Sequence, residues 1–230
     1  MTVAQHGRIT LKLVRNRNGA TIDPYTTIRA QVSAEIDEKK SRFIAVAAPV
    51  AQEADALALL EGVRAQHRMA RHHVFAYVLG GAKEGRRVRY SDDGEPSRTA
   101  GLPVLEVIEH AGLTNVIVVV TRYFGGVLLG TGGLVRAYTQ TAQAALAKAE
   151  LVSMRLCVDL HLRIAYADYD RVIYVLNAMG AKVVESSFTE LVHLHLRVLA
   201  EDRLAVRDKL VELLRGDEGL SEGEPYLGEF

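Results

Sequence analysis

An α+β fold in two modules is what this sequence predicts, and three observations predict it. Apolar residues recur with period 2, as in strands, and elsewhere at helical spacing, and the two patterns interleave along the chain. At 230 residues the chain is longer than one ordinary domain of roughly 100–200 residues. Its charge is also divided: residues 1–150 hold 19 Lys and Arg against 14 Asp and Glu, a net +5, and residues 151–230 hold 9 against 14, a net −5. The boundaries read as an extension over 1–24, a first module over 25–150, and a second over 151–230 that ends in an acidic tail.

In the extension, Ile9, Leu11 and Leu13 alternate with polar residues before an Asn18-Gly19 turn, the pattern of a small edge hairpin or an ordered extension. Ile28, Ala30, Val32, Ala34 and Ile36 have the period of one half-buried strand over 26–36, followed by a charged turn at 37–41 and a returning strand over 42–50. Ala54, Leu57, Leu60 and Val63 predict a helix over 51–66 packed on that sheet, with Glu53 and Asp55 complementing its dipole. Strands follow over 74–79 and 86–90, then a polar loop over 91–101 and a helix from Pro103 to His110. Val116-Ile117-Val118-Val119-Val120 do not alternate at all, which places this strand at the centre of a sheet with both faces buried. A glycine-rich segment, 125–133, opens an alanine-rich helix over 134–149.

The second module reads as a strand over 151–164, a helix over 168–179 stopped by Gly180, strands over 181–188 and 191–199, and a helix over 202–215. The order β-α-β-β-α is that of a ferredoxin-like split βαβ unit. The tail is expected to end as a loose strand or a frayed end.

Hydrophobic residues make up 49% and charged residues 24%, enough for a packed core rather than a disordered chain. No window reaches the ~18 uninterrupted apolar residues of a membrane span, and the N-terminus lacks a signal-peptide pattern, so the expected location is the cytoplasm. The one cysteine, Cys157, allows no internal disulfide and, between Leu156 and Val158, reads as a buried strand thiol. The positive first module is the half an anionic partner would prefer, although a pI of about 7.1 is not a strongly basic footprint.

The stretch from Tyr90 to Tyr138 carries the chemistry. Gly130-Thr131-Gly132-Gly133 stands at a helix start, where glycines expose backbone N–H groups to which an oxyanion can bind. Thr131 is placed to cap that helix, and Arg122 and Arg136 would add positive charge at its mouth. The segment lacks the lysine and spacing of a Walker loop and is not a dinucleotide fingerprint. A tight strand-to-helix turn explains the same glycines, so two readings stand.

Asp92, Asp93 and Glu95 would supply oxygen ligands to a divalent cation, or a general base beside His72 or His73. Asp-Asp-Gly-Glu-Pro is also an ordinary turn whose acids pair with Arg86, Arg87, Arg89 or Arg98, and the turn is the preferred reading. Adjacent strand residues point to opposite faces, so only one of His72 and His73 can face a given site. Tyr123-Phe124, beside Arg122, offers either a surface on which a base would stack or a lid over the core. His193 and His195 share a strand face without the further ligands a metal site needs. With no nucleophile elbow and no Cys/His dyad, no catalytic residue, metal or cofactor is assigned.

KKSRFIAVAAPV, RHHVFAY, SDDGEPSRTAG and RYFGGVLLGTGGLVRAY, in that order between Tyr25 and Ala149, together resemble the IMPACT/YigZ family. The residues after Leu151 are similar to the C-terminal domain of its bacterial members, itself similar to domain V of elongation factor G. The resemblance implies a first module with the fold of the second domain of a small-subunit ribosomal protein, a left-handed βαβ arrangement on a four-stranded sheet, and a ferredoxin-like second module. It also implies a part in translation: eukaryotic members regulate initiation through protein partners and carry a different N-terminal domain, and for bacterial members association with nucleic acid or the ribosome is the usual suggestion. Two positions depart from the GTAGK-like run the family leads one to expect, with Arg98 in place of a glycine and Leu102 in place of a lysine.

The leading reading is a non-enzymatic protein that binds RNA or a ribosomal component, with a protein partner in translation also open to it. Arg98, Arg122, Arg136 and one of His72 or His73 would surround a phosphate-sized concavity at Thr131, Gly132 and Gly133. Such contacts have little sequence preference and weaken steeply with salt. The alternatives are an enzyme acting on a small phosphorylated molecule, using Asp92, Asp93 or Glu95 with a divalent metal, and a protein-binding scaffold.

Overall fold

The computed structural model describes residues 23–81, 85–216 and 219–230. The hairpin expected around Asn18-Gly19 lies outside them. The chain forms two compact units, Asp23–Met154 and Arg155–Phe230.

The first unit runs β1 (Tyr25–Ile28), β2 (Val32–Glu38), β3 (Ser41–Pro49), α1 (Glu53–Gln66), β4 (His72–Leu79), β5 (Arg87–Ser91), α2 (Gly101–His110), β6 (Val116–Tyr123) and α3 (Thr131–Leu146), and takes in the first four residues of β7 (Leu151–Ile164). Its sheet has the order β2-β3-β6-β4-β5 with every pair antiparallel. β3 and β4 both run against β6, so they are parallel to each other, and α1 is the crossover that joins them. The sheet has five strands rather than the four the resemblance implied, because β5 pairs along the far edge of β4.

The unalternating β6 is third of the five, and its burial has a simple cause. Val116, Val118 and Val120 point into a core closed by α2 and α3, with Val104, Ile108, Leu134 and Tyr138. Ile117 and Val119 point the other way, into a second core closed by Ala56, Leu60 and Val63 of α1. Helices on both faces therefore demand apolar residues at consecutive positions. Phe43 and Tyr138 meet edge to face at 5.2 Å in the first core, a contact worth about 0.5–1.5 kcal/mol beyond burial.

Two expectations are corrected here. The single strand over 26–36 is two strands: Ile28 is buried at 1% exposure while Ala30 is exposed. β1 pairs with Leu151–Met154, and β2 with β3. The chain breaks register between them, where the Arg29 amide donates to the Glu150 carbonyl at 2.9 Å. α1 buries Ala56, Leu60 and Val63 and leaves Leu57 exposed, a face rotated from the predicted Ala54/Leu57 stripe. Its start is closed by a capping box in which Asp55 Oδ2 accepts the Ala51 and Gln52 amides at 3.2 Å.

The second unit continues β7 and adds α4 (Tyr169–Ala178), β8 (Lys182–Phe188), β9 (Val192–Leu199), α5 (Arg203–Leu214), β10 (Leu220–Glu222) and β11 (Tyr226–Glu229). β9 lies between β7 and β8 and runs against both, the split βαβ arrangement expected from the element order. Val172, Leu176, Val206 and Leu210 from the two helices pack on Val158, Leu160, Leu162, Val192, Leu194 and Leu196 of the sheet. The tail is more ordered than expected: β10 and β11 both pair with β7, with Leu220 opposite Leu162. Among the described residues no helix is long and apolar enough to cross a membrane.

Candidate anion-binding site

Four segments of the first unit meet around a cavity of about 350 Å³: the start of β4, the loop after β5, the end of β6 with the turn that follows it, and the start of α3. Arg71, His72, Glu95 and Arg122 form its polar side, Phe124, Leu128 and Leu134 its apolar side, and Gly130-Thr131 its rim. Of the residues singled out in the sequence, the fold thus brings together His72, Glu95, Arg122 and Thr131.

The acidic loop is a turn, as preferred, but its partners are not those expected. Asp92 accepts the Ala100 and Gly101 amides on Oδ1, at 3.0 and 2.8 Å, and the Arg98 amide on Oδ2 at 2.8 Å. It thereby caps α2, whose own N-cap residue, Ala100, has no side chain able to do so. Asp93 accepts the His73 amide at 2.6 Å and reaches Arg64 at 3.4 Å. The Asp93 carbonyl lies 2.7 Å from His72 Nδ1; a carbonyl only accepts, so that nitrogen carries a proton, and His72 Nε2 stands 3.9 Å from Glu95 Oε1. Arg86 and Arg89 pair instead with Glu109 and Glu53.

Glu95 is 9% exposed, and its Oε1 accepts both Arg122 Nη1 at 2.7 Å and the Tyr138 hydroxyl at 2.8 Å. Burial and the adjacent carboxylate push the Tyr138 phenol far above its ordinary range. Arg122 is only 5% exposed. Its Nη2 donates to Ser41 Oγ at 3.3 Å, and its guanidinium carbon lies 5.4 and 5.5 Å from the Phe43 and Phe124 rings. Nε has no hydrogen-bond partner among the described residues. The expectation of Arg122 as a free cation at the mouth is therefore corrected: it is a buried, paired residue whose aliphatic and charged parts form the cavity floor.

The exposed cations are elsewhere. Arg71 stands on the cavity wall, its position fixed by its amide donating to the Arg122 carbonyl at 3.2 Å. Arg136 is exposed, and its Nη1 lies 3.8 Å from where a side chain on Gly132 would begin. Arg98 is exposed but does not line the cavity, and it holds φ +62 where the family pattern has glycine. Leu102, in place of the family lysine, packs half-buried on the core.

The two histidines separate as predicted. His73 faces α1, 3.1 Å from Thr121 Oγ1, and burial holds its imidazole below the usual value despite Asp93 nearby. Tyr123 also turns towards α1, its hydroxyl 2.9 Å from His67 Nδ1, so it does not reach the cavity. Phe124, 40% exposed, lines the cavity instead.

The start of α3 differs from expectation in one respect. Gly130, at φ +73, is the N-cap and Thr131 the first helical residue, so Thr131 does not cap, and no side chain does. The Leu134 amide takes the Gly130 carbonyl, which leaves the amides of Thr131, Gly132 and Gly133 without intrahelical partners. Gly133 is buried against Leu129, while Gly130, Thr131 and Gly132 are exposed. Upstream, a side chain on Gly125 would begin 1.9 Å from the Lys40 carbonyl oxygen, so only glycine lets the chain leave β6 past the Lys39-Lys40 turn. Among the described residues no group of three or more His, Cys, Asp or Glu is placed to hold a metal.

Residues 39–146 match the Impact N-terminal domain, and residues 162–217 match a domain of unknown function, DUF1949. The IMPACT family member YigZ of Escherichia coli K12 is 35% identical over 187 residues, 81% of this chain and 92% of YigZ. The chain belongs to the IMPACT family. A crystal structure described as that of a hypothetical protein matches this IMPACT family member with TM-score 0.58 and 33% identity, covering 87% of this chain and 97% of that one. A structure described as the two-domain translational regulator Yih1 is 27% identical over 54% of this IMPACT family chain and 47% of its own, at TM-score 0.34, too low to compare the folds.

Sequence reading offered Phe124 only jointly with Tyr123, did not place Arg71 at the site, and missed Tyr138 as a partner of Glu95. Tyr138 had a signal, since it lies four residues after Leu134 on the buried stripe of α3. The pairing of Glu95 with Arg122 spans 27 residues and had none.

Proposed function

We propose that this IMPACT family member is a non-catalytic protein that binds RNA, alone or as part of a ribosomal component, and influences translation. One observation carries the reading: the uncapped start of α3 opens on a cavity that also presents an exposed arginine, Arg71, and an exposed ring, Phe124. Unpaired amides at a helix N-terminus receive a phosphate, a guanidinium adds charge-assisted hydrogen bonds, and an aromatic face takes a base without regard to sequence. Asp92 and Asp93 are occupied by backbone amides, which supports binding over metal-assisted turnover. The part in translation rests on the family resemblance.

The test is fluorescence anisotropy with a short single-stranded RNA at several salt concentrations. Gly132→Asp places a carboxylate on the open first turn of α3, where it suits the helix dipole and meets only the flexible end of Arg136. The variant is expected to fold and to lose affinity roughly tenfold, the scale of a charge at a helix terminus. Arg71→Gln is expected to lower the slope of log affinity against log salt by about 1. RNA affinity that is undetectable at low salt, or indifferent to salt and to Gly132→Asp, would sink the proposal.

A further inference from the structure

α4 and α5 cover one face of the second unit's sheet, and the other face carries a polar cluster that the proposed function does not use. Along β7 the residues on that face are Asp159, His161 and Arg163, and along β9 they are Arg197, His195 and His193, paired in that order. β8 adds Lys182, Glu185 and Ser187, opposite Arg197, His195 and His193, and β10 adds Ser221 opposite His161. Tyr226 of β11 reaches Asp159 with its hydroxyl at 2.7 Å. A cavity of about 300 Å³ lies at the His161–His195 end, lined by the three histidines, Arg163, Glu185 and the two serines.

This face carries Arg163, Arg197 and Lys182 against Asp159 and Glu185. Asp159 accepts the Tyr226 hydroxyl and Arg197 Nε, the latter at 3.2 Å, while His195 Nε2 stands 2.9 Å away without the alignment of a hydrogen bond. Burial alone would raise its pKa, but those hydrogen bonds outweigh burial and hold it below the ordinary value, as a charged carboxylate already engaged. Lys182 lies 4.7 Å from the Phe230 ring and does not line the cavity. Inside the cavity, Glu185 faces Arg163 and three imidazoles, and among the described residues Arg163 makes no ion pair. The His161 and His195 rings are stacked at 4.6 Å with 20° between their planes, an arrangement in which two imidazolium ions repel and two ring nitrogens cannot converge on one metal.

We propose that this cavity binds a tetrahedral oxyanion, of the phosphate or phosphate-monoester class, with Arg163, His193 and His161 as its cationic partners and Ser187 and Ser221 as neutral donors. Imidazole changes charge between about pH 5 and 8, so binding a dianion draws protons onto the histidines and affinity rises as pH falls. The site is independent of the first unit's helix start, and either can fail without the other.

The experiment uses the full chain, with the ring signals of His161, His193 and His195 followed by NMR. Sulfate is the probe for the pH series, because its charge is constant across the range and phosphate's is not. Expected is a saturable shift of all three rings, with sulfate affinity rising roughly tenfold from pH 7.5 to 5.5, as for uptake of about one proton, and inorganic phosphate competing for the same site. Arg163→Gln and His193→Gln, both at exposed positions, are each expected to weaken sulfate at least roughly fivefold, the loss of one charge-assisted bond. An RNA without a terminal phosphate that shifts the same rings at lower concentration would assign the site to backbone phosphodiesters. Sulfate shifts that do not saturate, that do not depend on pH, or that survive both substitutions overturn the proposal, as does tight Zn²⁺ binding that all three rings report.

Discussion

Each unit is built around one carboxylate held by an arginine and a tyrosine, yet the two carboxylates have opposite work to do. Glu95 takes Arg122 and Tyr138 on the α3-covered side of its sheet, with side-chain exposures of 4% for the acid and 6% for the arginine. Asp159 takes Arg197 and Tyr226 on the face the helices leave open, with exposures of 20% and 24%. Burial raises the energetic stakes of the first group, because removing one partner leaves an uncompensated charge in the core. Water shares the second group, which is left free to respond to ligands and to pH. The same three residue types thus serve as a structural lock in one unit and as a surface network in the other.

The largest test of that contrast is removal of the acids. Glu95→Ala is expected to cost about 3–5 kcal/mol, read from amide hydrogen exchange in Asp23–Met154. Asp159→Ala, in the solvent-shared group, is expected to cost about 1 kcal/mol or less in Arg155–Phe230. Equal losses would break the comparison. Next in size is Asp92→Ala, which uncaps α2 and is expected to cost about 1–2 kcal/mol, with exchange fastest at Ala100 and Gly101.

Acid should separate the units as well. His73 is held below its ordinary pKa of 6.5 in the folded state. The unfolded chain therefore binds that proton first, and the stability is present above about pH 6.5 and lost as pH falls towards the folded value. Asp159 is held below its ordinary 3.8, so its contribution is lost only at still lower pH. Between pH 6.5 and 5 the protection of first-unit amides, measured against the intrinsic exchange rate at each pH, should fall, and His73→Gln should flatten that response. The smallest effect runs the other way: Arg98→Gly relieves a left-handed backbone at φ +62 and is expected to stabilise the first unit by about 0.5–1 kcal/mol, seen as a shifted urea midpoint.

These contrasts also mark what the sequence could disclose. The cores were legible because they depend on local periodicity: the unalternating Val116–Val120 run read as a central strand, and β-α-β-β-α as a split βαβ unit. The opposite directions of His72 and His73 followed from strand geometry alone. What stayed hidden depends on distant pairing. Arg122 looks like a surface cation until Glu95 is folded against it, and Tyr123 and Phe124 are indistinguishable until His67 claims the first. The acidic tail, poor in apolar residues, becomes strand only because β7 offers it an edge. Ile28 ends its strand early because the core needs it, a demand no window of eleven residues contains.

A single oxygen, Glu95 Oε1, is where a loop, a strand end and a helix are tied together, through contacts 27 and 43 positions apart in the chain. Losing that oxygen would unfasten all three at once, so a substitution at Glu95 should be felt on every wall of the hollow beside Thr131 rather than on the loop alone.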